Sequence, residues 1–464
     1  MRPRLSLCRA GLAAGLATLA LVAGCGDEQA AEPRSPVLLL GIDGLEPSIV
    51  NALIAKGRLP HLARFAQEGV LGAIETLEPT YSPVIWTTVA TGRHKETHGV
   101  VDFLEAESGQ PFTSNARRVP ALWNLASEAE RTVDVVGWWI TWPAESIRGR
   151  MLASFAAQAQ AHIVWKPGVW EGLPELSWPR GLVRELAPII QRAGDVDGLR
   201  AEFWRAMEQR RQPPYAEPLA RCVQDLRWTF NGDWAFAETA EWMLDEGPQA
   251  DLMLVYLSAP DVAGHRFWRY HAPEDFPYAV DEADVRDFGH VLEASYIEAD
   301  RRLGRLLERV SADTNVIVMS DHGMHADPEN VGLADPDAIN SGHHQTRPPG
   351  VFAALGPDIR AAGNRLESAR PQVGHVLGVA PLVLRLMGLG IPEDWPMGQP
   401  GTNALESAVL SDAFLLAHDH ELVESVDGDF RAPTAPLPTP GAMNEQFIQI
   451  LDDMGYLDRD EEDE

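Results

Sequence analysis

Apolar runs of strand length alternate with segments of helical spacing along most of the chain. "VLLLG" (37–41) is a continuous apolar run, and "EPSIVNALIAKG" and "LPHLARFAQEG" follow it with helical spacing and a closing glycine each. The helix-then-strand order returns in "ALWNLASEAER" and "TVDVVGWW". It returns again around "DLMLVYL" (251–257), the long helical "GHVLEASYIEADRRLGRLLERV" and "NVIVMS" (315–320). Strands that are apolar throughout, separated by helices, predict an α/β fold with a mostly parallel sheet covered on both faces. Residues 151–250 break the rhythm. They are rich in tryptophan, proline and helical segments, and predict a helical cap insertion lying over the active edge of the sheet. The expected organisation is therefore a discontinuous core, 36–150 and 251–405, interrupted by 151–250. A C-terminal extension, 406–464, ends in the acidic run "DRDEEDE", expected to be disordered.

The first residues change the picture of where such a core works. "MRPRLSLCRAGLAAGLATLALVAGC" has a positive start (Arg2, Arg4, Arg9), an apolar stretch too short for a membrane span, and small residues before a cysteine. It reads as a bacterial lipoprotein signal over 1–24, with lipid on Cys25 and a polar tether over 25–35. The expected location is the cell envelope, facing the periplasm or the cell surface, with the chain membrane-anchored through its lipid. Of three cysteines only Cys222 would then remain, so no disulfide framework is available.

The net charge is −30, and removing the three signal arginines leaves −33. That argues against nucleic-acid binding through a basic surface, and it requires a locally positive site for any anionic substrate. Only three lysines are present, Lys56, Lys95 and Lys166.

Three strands run into an aspartate: Asp43 after "VLLLGI", Asp261 after "LMLVYLSAP" and Asp321 after "VIVMS". In open parallel sheets the ligand crevice lies beyond the carboxyl ends of the strands. His322 follows Asp321 directly, His265 stands four residues after Asp261, and His343 and His344 precede a further apolar run. Singly these are ordinary cap and turn residues. Together, oxygen and imidazole donors without thiolate suit a divalent metal: zinc first, with manganese or iron as alternatives.

These stretches carry a resemblance. "GIDG", "PTYSPVIWTTVATG" with its following "HG", "YLSAPDVAGH", "SDHG" and "SGHH" with "GVFAALGP" together resemble the type I phosphodiesterase and nucleotide pyrophosphatase group. That group belongs to the alkaline phosphatase superfamily of metal-dependent hydrolases, and the match runs in order from about 37 to 400. "ALWNLASEAERTVDVVGWWITWPAE" further resembles bacterial members described as phosphohydrolases or phosphomutases. The resemblance implies an alkaline-phosphatase-like α/β/α sandwich and two metals. One would be held by Asp43, Asp321, His322 and the nucleophile oxygen, the other by Asp261, His265 and His344, with His343 as the fallback. The nucleophile stands ten residues before the glycine of "TG"; counting back from Gly92 gives Ser82. A covalent cycle follows, in which Ser82 attacks phosphorus in line and water hydrolyses the phosphoserine.

Three aspartates, an ionised Ser82 and two divalent cations sum to about zero, which admits a singly charged phosphodiester. A monoester dianion would want further cations, for which Arg93 and His94 are the nearest in sequence. Departures from the group limit the reading. Pro83, Val84 and Ile85 follow Ser82 where pyrophosphatase members carry an asparagine, and "SPVIW" lacks the pattern of a formylglycine sulfatase. A phospho-group transferase acting on envelope glycans or lipids, a phosphomonoesterase and an inactive metal-binding surface protein are the competing readings.

Overall fold

A computed structural model describes residues 34–156, 173–192, 217–326 and 339–425, together with 427 and 430. The expected signal, Cys25, most of the tether and the acidic tail lie outside the described residues.

The three runs richest in apolar residues form the middle of the sheet. β1 (Val37–Ile42) lies between β6 (Leu252–Leu257) and β7 (Asn315–Met319), and every residue of the three is buried. A strand buried on both faces gains nothing from alternation, which is why these read as unbroken apolar runs. Around them are β2 (Val70–Glu75), β3 (Val133–Val136), β4 (Gly149–Leu152), β5 (Ser177–Trp178), β8 (Gly350–Leu355), β9 (Gly363–Asn364) and β10 (Gln372–His375). The ten-stranded sheet has the order β10-β2-β8-β7-β1-β6-β3-β4-β5, with β9 beside β2. All pairings are parallel except those of β8 with β2 and β7 and that of β5 with β4. The expected mixed α/β architecture with a mostly parallel sheet is the one observed.

Register decides what the central strands deliver. Ile42 pairs with Leu257 and Gly41 with Met319, so the chain leaves all three strands at one level, at Asp43, Ser258 and Ser320–Asp321. The covering helices used below are α1 (Pro47–Ala55), α2 (Pro60–Glu68), α3 (Ser82–Thr91), α4 (Leu122–Glu128), α5 (Glu217–Asp245), α6 (Ala259–His271), α7 (Val291–Leu307) and α8 (Val379–Met387). α8 stops at Gly388, whose φ of 66° supplies a left-handed cap.

Within the described part of 151–250, two elements join the core. β5 extends the sheet, and α5 buries Leu226, Phe230, Ala237 and Ala240 in a layer that packs on β6, β3 and α6. Helical spacing shows that a segment is a helix, but not which surface it covers. The break expected at 405 falls inside the helix Ala404–Val409, which buries Leu405 and Val409 and packs against β10, so the core continues past it.

A charged seam fastens α5 to α7. Arg302 meets Glu238 at 3.4 Å, Arg305 meets Glu241 at 2.6 Å and Arg309 meets Asp245 at 3.3 Å. Each pair is separated by the same 64 residues, so the two helices run parallel.

Candidate active site

The strand ends gather the carboxylates and histidines that the sequence singles out. Asp43, Asp261, Asp321, His265, His322 and His344 are all buried at this edge, and Ser82 is buried as well. Ligand atoms of Asp261, His265 and His344 lie within 4.8 Å of one another, and so do those of Asp43, Asp261 and His322. Asp261 thus belongs to both groups, which sequence reasoning did not foresee. Asp321 adjoins the second group, with Oδ2 3.4 Å from His322 Nε2. The rings of His322 and His344 stack at 3.7 Å and link the groups. His343 lies outside both. Its backbone pairs with His325, and its ring stands edge-on to His265 at 5.9 Å.

The hydrogen bonds of the histidines fix which nitrogen is bare. His265 Nδ1 lies 2.8 Å from the Gly342 carbonyl, and His322 Nδ1 lies 2.9 Å from that of Gly323. A carbonyl only accepts, so each Nδ1 carries the proton and each Nε2 presents a lone pair. Thr80 Oγ1 donates to the His344 carbonyl at 2.9 Å and lies 3.0 Å from His344 Nδ1, from which it accepts; His344 takes the same tautomer. The Nε2 atoms face carboxylate oxygens, His265 to Asp261 at 3.4 Å and His322 to Asp43 at 3.4 Å, and that of His322 has no hydrogen-bond partner among the described residues. Lone pair against anion is repulsive unless a cation lies between.

Burial acts in the same direction. It drives the carboxyls of Asp261 and Asp321 well above their usual range, and the negative charge of Asp43 adds to the shift. Burial also pushes His265 and His344 well below the ordinary imidazole value, and lowers His322. Among the described residues Asp43 Oδ1, Asp261 Oδ1, both oxygens of Asp321 and His322 Nε2 are buried with no hydrogen-bond partner. Orphaned oxygen and imidazole donors converging on one point fit divalent metal ions.

Supporting contacts were less legible. Asp43 Oδ2 accepts from Trp86 Nε1 at 3.0 Å and from the Tyr256 hydroxyl at 2.6 Å, which leaves Oδ1 to face His322. The indole packs so close to β1 that a Cβ on Gly41 would lie 2.6 Å from its ring. Gly44 has φ +71°, and a Cβ there would lie 2.5 Å from Asp261 Cα. Both glycines of "GIDG" are therefore steric necessities. Ser320 Oγ accepts from the Leu45 amide and donates to the His322 carbonyl, each at 2.8 Å. Arg266, fully buried on α6, acts electrostatically on both Asp261 and His265. One signal pointed to Trp86: it stands four residues after Ser82, on the same face of a helix.

Ser82 opens α3 after the Tyr81 cap. Two residues earlier Thr80 holds His344, and one turn later Trp86 holds Asp43, so Ser82 is bracketed by contacts to both ligand groups. Pro83, Val84 and Ile85 are buried in the packing of α3. Arg93 is committed elsewhere, to Asp394 at 2.7 Å and Asp427 at 2.5 Å, and His94 caps the short helix Lys95–His98.

The family model described as type I phosphodiesterase / nucleotide pyrophosphatase matches residues 37–399. The chain belongs to this family. No curated protein matches it. Solved structures similar to this member of the family include phosphonoacetate hydrolase from Sinorhizobium meliloti 1021. That pair is 18% identical, with 65% of this chain and 60% of that chain covered and a TM-score of 0.38. This chain thus spans less than two thirds of that protein. Human ectonucleotide pyrophosphatase / phosphodiesterase 5 is 13% identical over 76% of this chain and 95% of that chain, with a TM-score of 0.43. A 2-O GAG sulfatase is 13% identical over 78% and 72%, with a TM-score of 0.44.

Proposed function

We propose that this family member is an exported, metal-dependent phosphodiesterase that works through Ser82 and a phosphoserine intermediate. The observation that carries the reading is the convergence of orphaned ligand atoms of Asp43, Asp261, Asp321 and His322 beside a serine bracketed by both ligand groups. Asp43, Asp321 and His322 with the Ser82 oxygen would hold one divalent metal, and Asp261, His265 and His344 the other. Zinc suits the donors best. When bound, the metals supply Lewis-acid charge that favours ionised Ser82 and offsets negative charge on phosphate and leaving oxygens.

The chain's own groups do the rest. Ser82 Oγ loses its proton to solvent and bonds to phosphorus, while the bond to the ester oxygen breaks and that oxygen leaves with a proton. Water oxygen then bonds to phosphorus, the bond to Ser82 Oγ breaks, and Ser82 is reprotonated. Trp86 and Tyr256 keep Asp43 oriented, and Thr80 keeps His344 oriented, through both half-reactions. Three aspartates, ionised Ser82, two divalent cations and Arg266 sum to about +1, which suits a singly charged diester better than a dianion.

The test combines metal content with turnover of chromogenic diester, monoester and sulfate substrates by wild type and Ser82→Ala. Two equivalents of metal and a diester turnover that Ser82→Ala loses by at least about 10³-fold are expected, as for other covalent nucleophiles. Two equivalents without Ser82-dependent turnover would sink the reading and favour a transferase or binding role. Export rests on the N-terminal pattern of residues 1–24 and on Cys25. No helix of the described residues is long and apolar enough to cross a membrane. Cys25→Ser should move the protein from the membrane to the soluble fraction.

A further inference from the structure

One buried carboxylate belongs to neither ligand group yet grips the segment that carries one of them. Asp233 projects from α5 and is buried, and its two oxygens take three hydrogen bonds. Oδ1 accepts from the Ser258 amide at 2.8 Å and from the Ser258 hydroxyl at 3.1 Å, and Oδ2 accepts from the Ala259 amide at 2.8 Å. These donors sit at the turn from β6 into α6. Ser258 is the N-cap residue of α6, yet its side chain caps nothing in its own helix. The cap comes instead from a carboxylate on another element, where a negative charge also complements the helix dipole. Two residues past Ala259 stands Asp261, and one turn beyond it His265.

We propose that Asp233 is a positioning residue for the metal held by Asp261, His265 and His344, an inference that rests on the metal-dependent reading above. Asp261 serves this group through an oxygen 3.4 Å from His265 Nε2 and 3.9 Å from His344 Nε2, and that oxygen has no protein hydrogen bond to hold it. Its place is set by the backbone at Ser258–Ala259, and that backbone is pinned by Asp233. α5 is in turn fastened to α7 by the seam from Glu238 to Asp245, and Arg302 of that seam acts electrostatically on Asp233. The helix read from the sequence as a cap thus reaches the site from behind, through one side chain. The group of Asp43, Asp321 and His322 has its own supports in Trp86, Tyr256 and Ser320, and this grip reaches it only through Asp261.

The experiment titrates the metal-stripped full chain with Zn²⁺ alone in a calorimeter, with thermal melts in parallel. Wild type should take two equivalents, with one class lost in His344→Ala and the other in His322→Ala. Asp233→Asn keeps the volume but replaces one acceptor with a donor. It should weaken the His344 class by about 10–100-fold, the range for supporting contacts of metal ligands, and the His322 class, which Asp261 also adjoins, by a smaller factor. Ser258→Ala should give a smaller loss in the same class, and serves if Asp233→Asn does not fold. Arg305→Ala loosens the seam without touching the turn, and should lower the melting temperature while sparing both classes. Unchanged affinities in Asp233→Asn, equal weakening of both classes, or the same loss in Arg305→Ala would each overturn the positioning role while leaving the metal reading intact. A wild type that takes up no Zn²⁺ would bring down the metal reading and this inference together.

Discussion

Two regions bury a histidine completely and use it in opposite ways. At the strand ends, His265, His322 and His344 spend Nδ1 on a carbonyl or hydroxyl and leave Nε2 facing carboxylates. Behind α3, His98 does the reverse. Its Nδ1 accepts from the Val100 amide at 3.2 Å, and Nε2 therefore carries the proton toward Thr88 Oγ1 at 3.1 Å. Nothing about His98 is left over, so it is a finished structural residue. His322, whose Nε2 has no hydrogen-bond partner among the described residues, is finished only with a cation in front of it. Burial alone does not mark a ligand; the unspent nitrogen does.

The largest expected effect tests that distinction directly. His322→Ala should lose one equivalent of Zn²⁺ and at least about 10³-fold in diester turnover, whereas His98→Ala should keep both equivalents and lose stability instead. Calorimetry and kinetics on the two variants decide it, and metal loss from His98→Ala would erase the contrast. A smaller effect is expected one step from the ligands. Tyr256→Phe removes one of two donors to Asp43 Oδ2, and should weaken the His322 class of Zn²⁺ sites about tenfold, the lower end for such partners. Unchanged affinity would make Tyr256 mere packing.

Stability should follow the same division. Saturating Zn²⁺ at about 100 times its Kd should stabilise wild type and a His98 variant alike by about 2.7 kcal/mol for each of the two sites, seen as equal upward shifts in thermal melts. Unequal shifts would couple His98 to the metals. The smallest effect is a slope with pH. Burial lowers His98 from 6.5 to about 3, so the unfolded chain takes up this proton first as the pH falls. Its contribution to stability is complete above pH 6.5 and is lost between there and about 3, at up to about 1.4 kcal/mol per pH unit. His98→Gln should flatten the urea-midpoint profile between pH 7 and 5 relative to wild type, and an identical slope would refute the assignment.

The legible part of the molecule was the part in which one segment suffices to define a role. β1, β6 and β7 announced themselves because burial on both faces demands unbroken apolar runs, and the carboxylates follow those runs directly. Ser82 needed the spacing of a known motif. Tyr256 remained hidden because its role exists only where residues 43 and 256 meet across the sheet, and neighbouring sequence carries no trace of that pairing. The double membership of Asp261 and the grip of Asp233 are hidden for the same reason, since each depends on where helices settle after the sheet has formed. "PVIW" was opaque on its own, and becomes plain once the indole is seen bonded to Asp43.

The short span from Thr80 to Trp86 has a further consequence for how this chain can vary. Tied at one end to His344 and at the other to Asp43, it behaves like a gauge block between two fixed jaws. Adding or deleting a single residue within it would turn the helix by about 100° and carry Ser82 off its face, whatever residue was chosen. Val101, three residues after His98, is exposed. Length changes in descendants of this sequence should collect there, while the seven positions from 80 to 86 keep their count even as their side chains drift.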